Sequence, residues 1–74
     1  MFVRGAAFRQ IAEKLNEDYP TMYQATANAA GVTVVALKPM SLYHAAVFIE
    51  NCACVKNKGL TVTPLEKLGI ITIR

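Results

Sequence analysis

Few residues in this chain have side chains suited to chemistry. His44 is the single histidine and Ser41 the single serine. A serine nucleophile needs a base within hydrogen-bond reach and a third group to orient that base. Ser41 stands instead where it caps the helix that carries His44, so both are read as structural and no catalytic residue is assigned. Glu13 and Glu17 share the polar face of one amphipathic segment, where carboxylates are solvated and pair with neighbours four residues away. Gly31 and Gly59 stand alone between elements, so there is no glycine-rich loop to cradle a phosphate.

Cys52-Ala-Cys54 is the one pair of soft ligands. On a helix, residues two apart point about 200° away from each other, so this spacing predicts neither a bridge nor a chelate. A structural zinc site takes four ligands, and the two cysteines with His44 make three. Both cysteines are read as small buried hydrophobes, with no metal and no cofactor expected. The expectation is a protein that is not an enzyme and works through its surfaces.

Composition agrees with that class. The 74 residues are 54% hydrophobic and 18% charged, with a net charge of +3, and the mean hydropathy is +0.32. These values exclude a disordered tail and a histone-like basic peptide. The longest apolar run, Ala45–Ile49, is far short of the roughly 20 residues of a membrane span. Met1–Gly5 has no apolar signal core, so a cytoplasmic protein with no membrane partner is expected. A single small domain over 1–74 is the corresponding organisation. At this size folding buries only about 60% of the unfolded surface, so the core is marginal.

The elements that must position any functional surface follow from periodicity. Phe8, Ile11, Ala12 and Leu15 recur at i, i+3, i+4 and i+7, which predicts a helix over 5–17 that ends before Pro20. Thr21 then caps a second helix over 22–30, alanine-rich and stopped by Gly31. Val32–Leu37 has strand composition but could also be a short helix. Ser41 caps a further helix from Leu42 to about Val55, apolar almost all round. Leu60–Thr63 and Ile70–Ile73 predict a terminal hairpin with a six-residue loop. The expected fold is α+β, a small single domain of two to three helices packed on a C-terminal β-hairpin, with a possible extra strand at 32–37. Phe8, Ile11, Leu15, Phe48, Ile49, Cys52, Val62 and Ile71 are its expected core.

Charge is unevenly placed. Between Tyr19 and Ile49 the one formal charge is Lys38. A domain this small cannot bury so long a stretch, and the cores of protein interfaces are depleted of charge. Met22, Tyr23, Val34, Val35, Met40 and Tyr43 are therefore the candidate protein-contact residues. The partner is another protein or a second copy, with a dimer expected.

The run YQATANAAGVTVVALKPM, residues 23–40, resembles the helix-turn-helix of bacterial and phage DNA-binding proteins. Ala27 matches the small residue of the first motif helix, Gly31 the turn, and Leu37 and Met40 the buried positions of the second. With the terminal hairpin, the order is similar to Cro-type repressors or a winged helix. The resemblance implies a DNA-binding transcriptional regulator, with Arg4, Arg9, Lys38, Lys56, Lys58 and Lys67 on phosphates. Against it, Thr33, Val34, Val35, Lys38 and Pro39 on the would-be recognition helix include only two polar side chains, whereas base readout uses mostly Arg, Lys, Asn and Gln. The favoured expectation is thus a small regulatory or inhibitory protein acting by self-association or by docking on a larger complex, of the kind that phages and mobile elements carry. DNA binding is the alternative.

Overall fold

The computed structural model describes residues 4–74. Its elements are α1 (Arg4–Asp18), β1 (Tyr23–Asn28), β2 (Gly31–Ala36), α2 (Leu42–Glu50), β3 (Val62–Leu65) and β4 (Ile70–Ile73). The four strands form one antiparallel sheet in the order β1-β2-β4-β3. A helix followed by a hairpin therefore occurs twice, and the two hairpins meet along β2 and β4. β2 and β3 run parallel with β4 between them, and α2 makes the crossover, a split βαβ arrangement.

α1 forms as its periodicity predicts. Phe8, Ile11, Ala12 and Leu15 are all buried, the Tyr19 amide donates to the Leu15 carbonyl at 2.9 Å, and Pro20 stops the helix. α1 packs mainly on β1 and also on β2, while α2 packs on β3 and β4. The buried residues of both helices join Tyr23, Ala25, Val32, Val34, Ile71 and Ile73 in one hydrophobic cluster.

The helix expected over 22–30 is instead strand β1 and its turn, and Val32–Leu37 resolves as strand β2. Residues 23–36, which carry most of the resemblance to a helix-turn-helix, thus form a β-hairpin. Alanine favours a helix by propensity, but Tyr23 and Ala25 alternate with exposed Gln24 and Thr26, a period of two that buries one side only against a sheet. The Asn28 side-chain carbonyl accepts from the amides of Ala30 at 2.7 Å and Gly31 at 3.1 Å, closing the turn. Gly31 has φ +153°, and a Cβ there would run into the Ile73 carbonyl and the Arg74 side chain. The glycine serves the close approach of β2 to β4, not a helix terminus.

Ser41 does cap α2, its hydroxyl accepting from the His44 amide at 3.4 Å. The helix stops at Glu50, short of the expected Val55. The Asn51 side chain bonds back to the Val47 carbonyl at 2.8 Å, and Cys52 donates weakly to that of Phe48 at 3.4 Å. Left-handed Asn57 (φ 65°) and Gly59 (φ 68°) then reverse the chain. The terminal hairpin is offset from its expected first strand, covering Val62–Leu65, which includes Pro64. Of the expected core, Phe8, Ile11, Leu15, Ile49 and Ile71 are buried, and Cys52 and Val62 pack on the core partly buried. Phe48 is the correction at 42% exposed, because α2 turns that side away from the sheet.

Both sheet edges are guarded. On β1, the Asn16 side chain from α1 donates to the Ala25 carbonyl at 2.9 Å and accepts from the Ala25 amide at 2.7 Å. Its amide group thus pairs with the strand as a neighbouring peptide would. On β3, reciprocal 3.0 Å bonds between Thr61 and Arg74 set the register. That register turns the backbone of Val62 and Pro64 outward, and Pro64 has no N–H to offer. Edges treated this way resist pairing with another chain.

Candidate protein-contact site

The register fixes which side chains share a face, since directly paired residues project to the same side. One face carries Tyr23, Ala25, Val32, Val34, Ile71 and Ile73 under the helices. The other carries two rows that cross all four strands. Thr26, Thr33, Thr72 and Thr63 form the first, and Gln24, Val35, Ile70 and Leu65 the second. None of these eight residues belongs to the hydrophobic cluster or packs on it. None is charged. The helices cover one side of the sheet, and this side is open.

Threonine suits such a position: its branched Cβ favours the extended backbone, while its hydroxyl keeps the face wettable. Thr72, in the middle of the sheet, is 8% exposed, screened by its neighbours in the row. Val35 is 39% exposed, and Leu68, in the turn between β3 and β4, is 70% exposed. Leu37 continues the alternation of Thr33 and Val35 one step beyond β2 and is also exposed. Arg74, paired with Thr61, stands at the opposite margin.

A second apolar surface lies at the start of α2. Met22, Tyr23, Met40, Ser41, His44, Ala45 and Phe48 line an open groove of about 330 Å³. Phe48 packs edge-on against Tyr19, with centroids 5.1 Å apart, and tilted against Tyr23 at 6.3 Å. Beside the groove, Tyr43 and Val47 are exposed on successive turns of α2.

The expected contact residues therefore divide. Val35 is on the open face. Met22 and Met40 line the groove, and Tyr43 projects from the same helix. Tyr23 and Val34 are corrected: at 2% and 0% exposed they belong to the core, Val34 wholly under the helices and Tyr23 reaching only the floor of the groove. Both face the helices because each lies one residue from a position that faces out. The open face itself adds Gln24, Thr26, Thr33, Thr63, Leu65, Ile70 and Thr72, which the expected contact set did not include.

The expected phosphate-contact residues occupy separate elements. Arg9 lies on α1, Lys38 between β2 and α2, Lys56 and Lys58 beyond α2, and Lys67 between β3 and β4, all exposed. The Arg4 side chain lies outside the described residues. Arg9 borders a cleft with Ala27–Ala29, whereas Lys56 borders another with Asn51 and Leu60.

The cysteines also differ from expectation. Because α2 ends before them, Cys52 and Cys54 are not on one helix, and both line a single cavity of about 190 Å³ with Lys14, Leu15, Asp18, Tyr19 and Ala53. Both are only partly buried. Burial, followed by the neighbouring Cys54, pushes the Cys52 thiol above its ordinary range, although a hydrogen bond with Tyr19 works the other way. Burial likewise raises Tyr23 and Tyr19. Among the described residues no group of three or more His, Cys, Asp or Glu converges on a common point, and no helix is long and apolar enough to cross a membrane.

No protein-family model, curated protein or solved structure matches this chain.

Proposed function

We propose that this is a small non-enzymatic regulatory or inhibitory protein that acts by protein–protein contact, with the open sheet face as its principal contact surface. The observation that supports the reading is the pair of uncharged rows crossing all four strands. Water gains little from a Val-Ile-Leu row, and a partner that covers it need not desolvate any charge. Asn16 pairs with the β1 edge and Pro64 removes a donor from the β3 edge, which favours face-on packing over strand addition.

Self-association is the first partner to test. Two copies present the same surface to each other across a two-fold axis, and the eight residues of its two rows carry no charge, Arg74 standing at the margin. Four strands at about 4.8 Å spacing and five residues at about 3.4 Å give a face of roughly 19 by 17 Å. A standard interface takes about 800 Å² per partner, so the contact must extend well past this face, through Leu37 and Leu68 at its margins and beyond them.

Light scattering at tens of micromolar tests this. The expected result is a species above 8.1 kDa that Val35→Asp reduces to a folded monomer. A parent chain that scatters as a monomer at that concentration overturns self-association and leaves docking on a different protein. Duplex binding at about 150 mM salt is the control for the alternative. Binding whose log–log salt slope falls by about two in a Lys56→Ala, Lys58→Ala double variant, with Val35→Asp still active, would replace the present reading with DNA binding.

A further inference from the structure

The two ends of the open face are alike in backbone and unlike in side chains. A half turn about the sheet normal at the Thr33–Thr72 pair lays α1 and its hairpin on α2 and its hairpin, and carries Thr26 to Thr63. The same turn carries the apolar row of Val35 and Ile70 onto the row of Asn28, Gly31, Arg74 and Thr61 at the other end of the strands. One end is therefore apolar and the other holds a cation. We infer that the face takes a second copy of this chain across a two-fold axis that runs parallel to the strands, between β2 and β4, and sets Leu37 of each copy against Leu68 of the other. This rests on the contact reading above and fixes the orientation that reading leaves open.

The side chains choose the axis. An axis across the strands at the Thr33–Thr72 pair turns one copy end for end, so the apolar row meets the row of Arg74 and a cation is buried without a counter-charge. An axis along the strands lays each row on itself. Val35 then covers Ile70 of the partner, threonines meet threonines whose hydroxyls can both donate and accept, and Arg74 keeps its water at the outer end. The β2–β4 register, continued two residues past Val35↔Ile70, puts Leu37 level with Leu68, so the same axis brings these two together between chains. They are 48% and 70% exposed, and Leu68 is the most exposed large hydrophobic residue among those described. A cross-strand axis moved to the apolar row would instead press Leu37 on Thr33 of the partner, covering a hydroxyl with no acceptor. Aligned sheets keep their strands within about 30° of each other, which leaves rows over rows.

The experiment mixes full-length Leu37→Asp and Leu68→Lys chains at about 150 mM salt, where charges more than about 8 Å apart are screened, and counts dimers by native mass spectrometry. Each variant alone should dimerise about tenfold or more weakly than the parent. The mixture should give a heterodimer in about tenfold or greater excess over both homodimers, because it alone pairs Asp with Lys and keeps the second Leu–Leu contact. A heterodimer merely equal to the two homodimers together is the statistical result and overturns the axis. On the unaltered protein, isotope-filtered NOE spectra of a mixed labelled and unlabelled dimer should join Leu37 methyls to Leu68 methyls between chains. Their absence from a dimer overturns the axis even if a variant fails to fold. A parent that is monomeric overturns self-association itself, whereas a dimer that Val35→Asp dissolves but that lacks the Leu37–Leu68 contact removes this axis alone.

Discussion

Asn16→Ala tests how the edge of the sheet is held. The change removes two hydrogen bonds to the backbone of Ala25, at 2.9 and 2.7 Å, and leaves every core side chain in place. Each bond contributes about 1 kcal/mol net, and the groups left behind lie on a strand edge that water can reach, so the loss is about 2 kcal/mol. The unfolding entropy near the midpoint is about 2.1 cal/mol/K per residue, or about 0.16 kcal/mol/K for 74 residues. The melting temperature should therefore fall by about 13 °C. Circular dichroism measures the melt, and amide exchange at Ala25 should accelerate in the variant. Asn16→Asp should be worse at neutral pH, because a carboxylate still accepts from the Ala25 amide but repels the Ala25 carbonyl. That penalty should shrink as pH falls and the carboxyl protonates. If Asn16→Ala melts within about 3 °C of the parent, the side-chain amide is not what secures the edge.

Further outcomes follow from the same geometry. Phe48→Ala should cost about 2 kcal/mol in urea denaturation, below the 3–5 kcal/mol of a fully buried phenylalanine, because its ring is nearly half exposed. A loss above about 3 kcal/mol would show that the aromatic cluster is more deeply packed than its exposure indicates. Gly31→Ala should destabilise by about 3 kcal/mol or more, since the new methyl meets the Ile73 carbonyl; a near-parental melt would refute that close approach. In alkali, Cys52 and Tyr23 are raised above ordinary values of 9.0 and 10.0 by burial first, with Cys54 next for the thiol and Cys52 and Tyr19 next for the phenol. The folded state holds these protons longer than the unfolded chain, so their contribution is complete below about pH 9 and fades as pH rises through the folded values. The urea midpoint should decline from about pH 9 upward, and Cys52→Ser should flatten the first part of that decline.

How much of this was legible in the sequence depended on whether the signal was local. α1 was, because four apolar residues at helical spacing specify a face without help from the rest of the chain. The Ser41 cap was too. β1 was misread because Ala25, Ala27, Ala29 and Ala30 carry helix propensity while the competing signal, alternation with Gln24, Thr26 and Asn28, is quiet when the inward residues are small. The burial of Tyr23 and Val34 followed from that error: on a strand, a shift of one residue exchanges core for solvent. The open face was out of reach for a different reason. Thr26, Thr33, Thr63 and Thr72 are scattered over nearly fifty positions and become a row only once the pairing of β1, β2, β4 and β3 is known. The cavity that Cys52 and Cys54 both line was missed because a helix was carried through to Val55, whereas α2 ends at Glu50 and a separate turn follows.

The order of strands across the sheet differs from their order along the chain, and this bears on the molecule before it is finished. β4 lies between β2 and β3, yet it is synthesised after both. At roughly 5–20 residues per second, α1 and the first hairpin emerge and can associate while residues 70–73 do not yet exist. In that interval β2 is an outer strand with an unpaired row of amides and carbonyls, and β3 has no neighbour at all. Asn16 and Pro64 guard the outer margins of the completed sheet, so neither shields this inner seam. The nascent chain is thus most adhesive along a line that the folded protein conceals, and its last strand closes both halves at once.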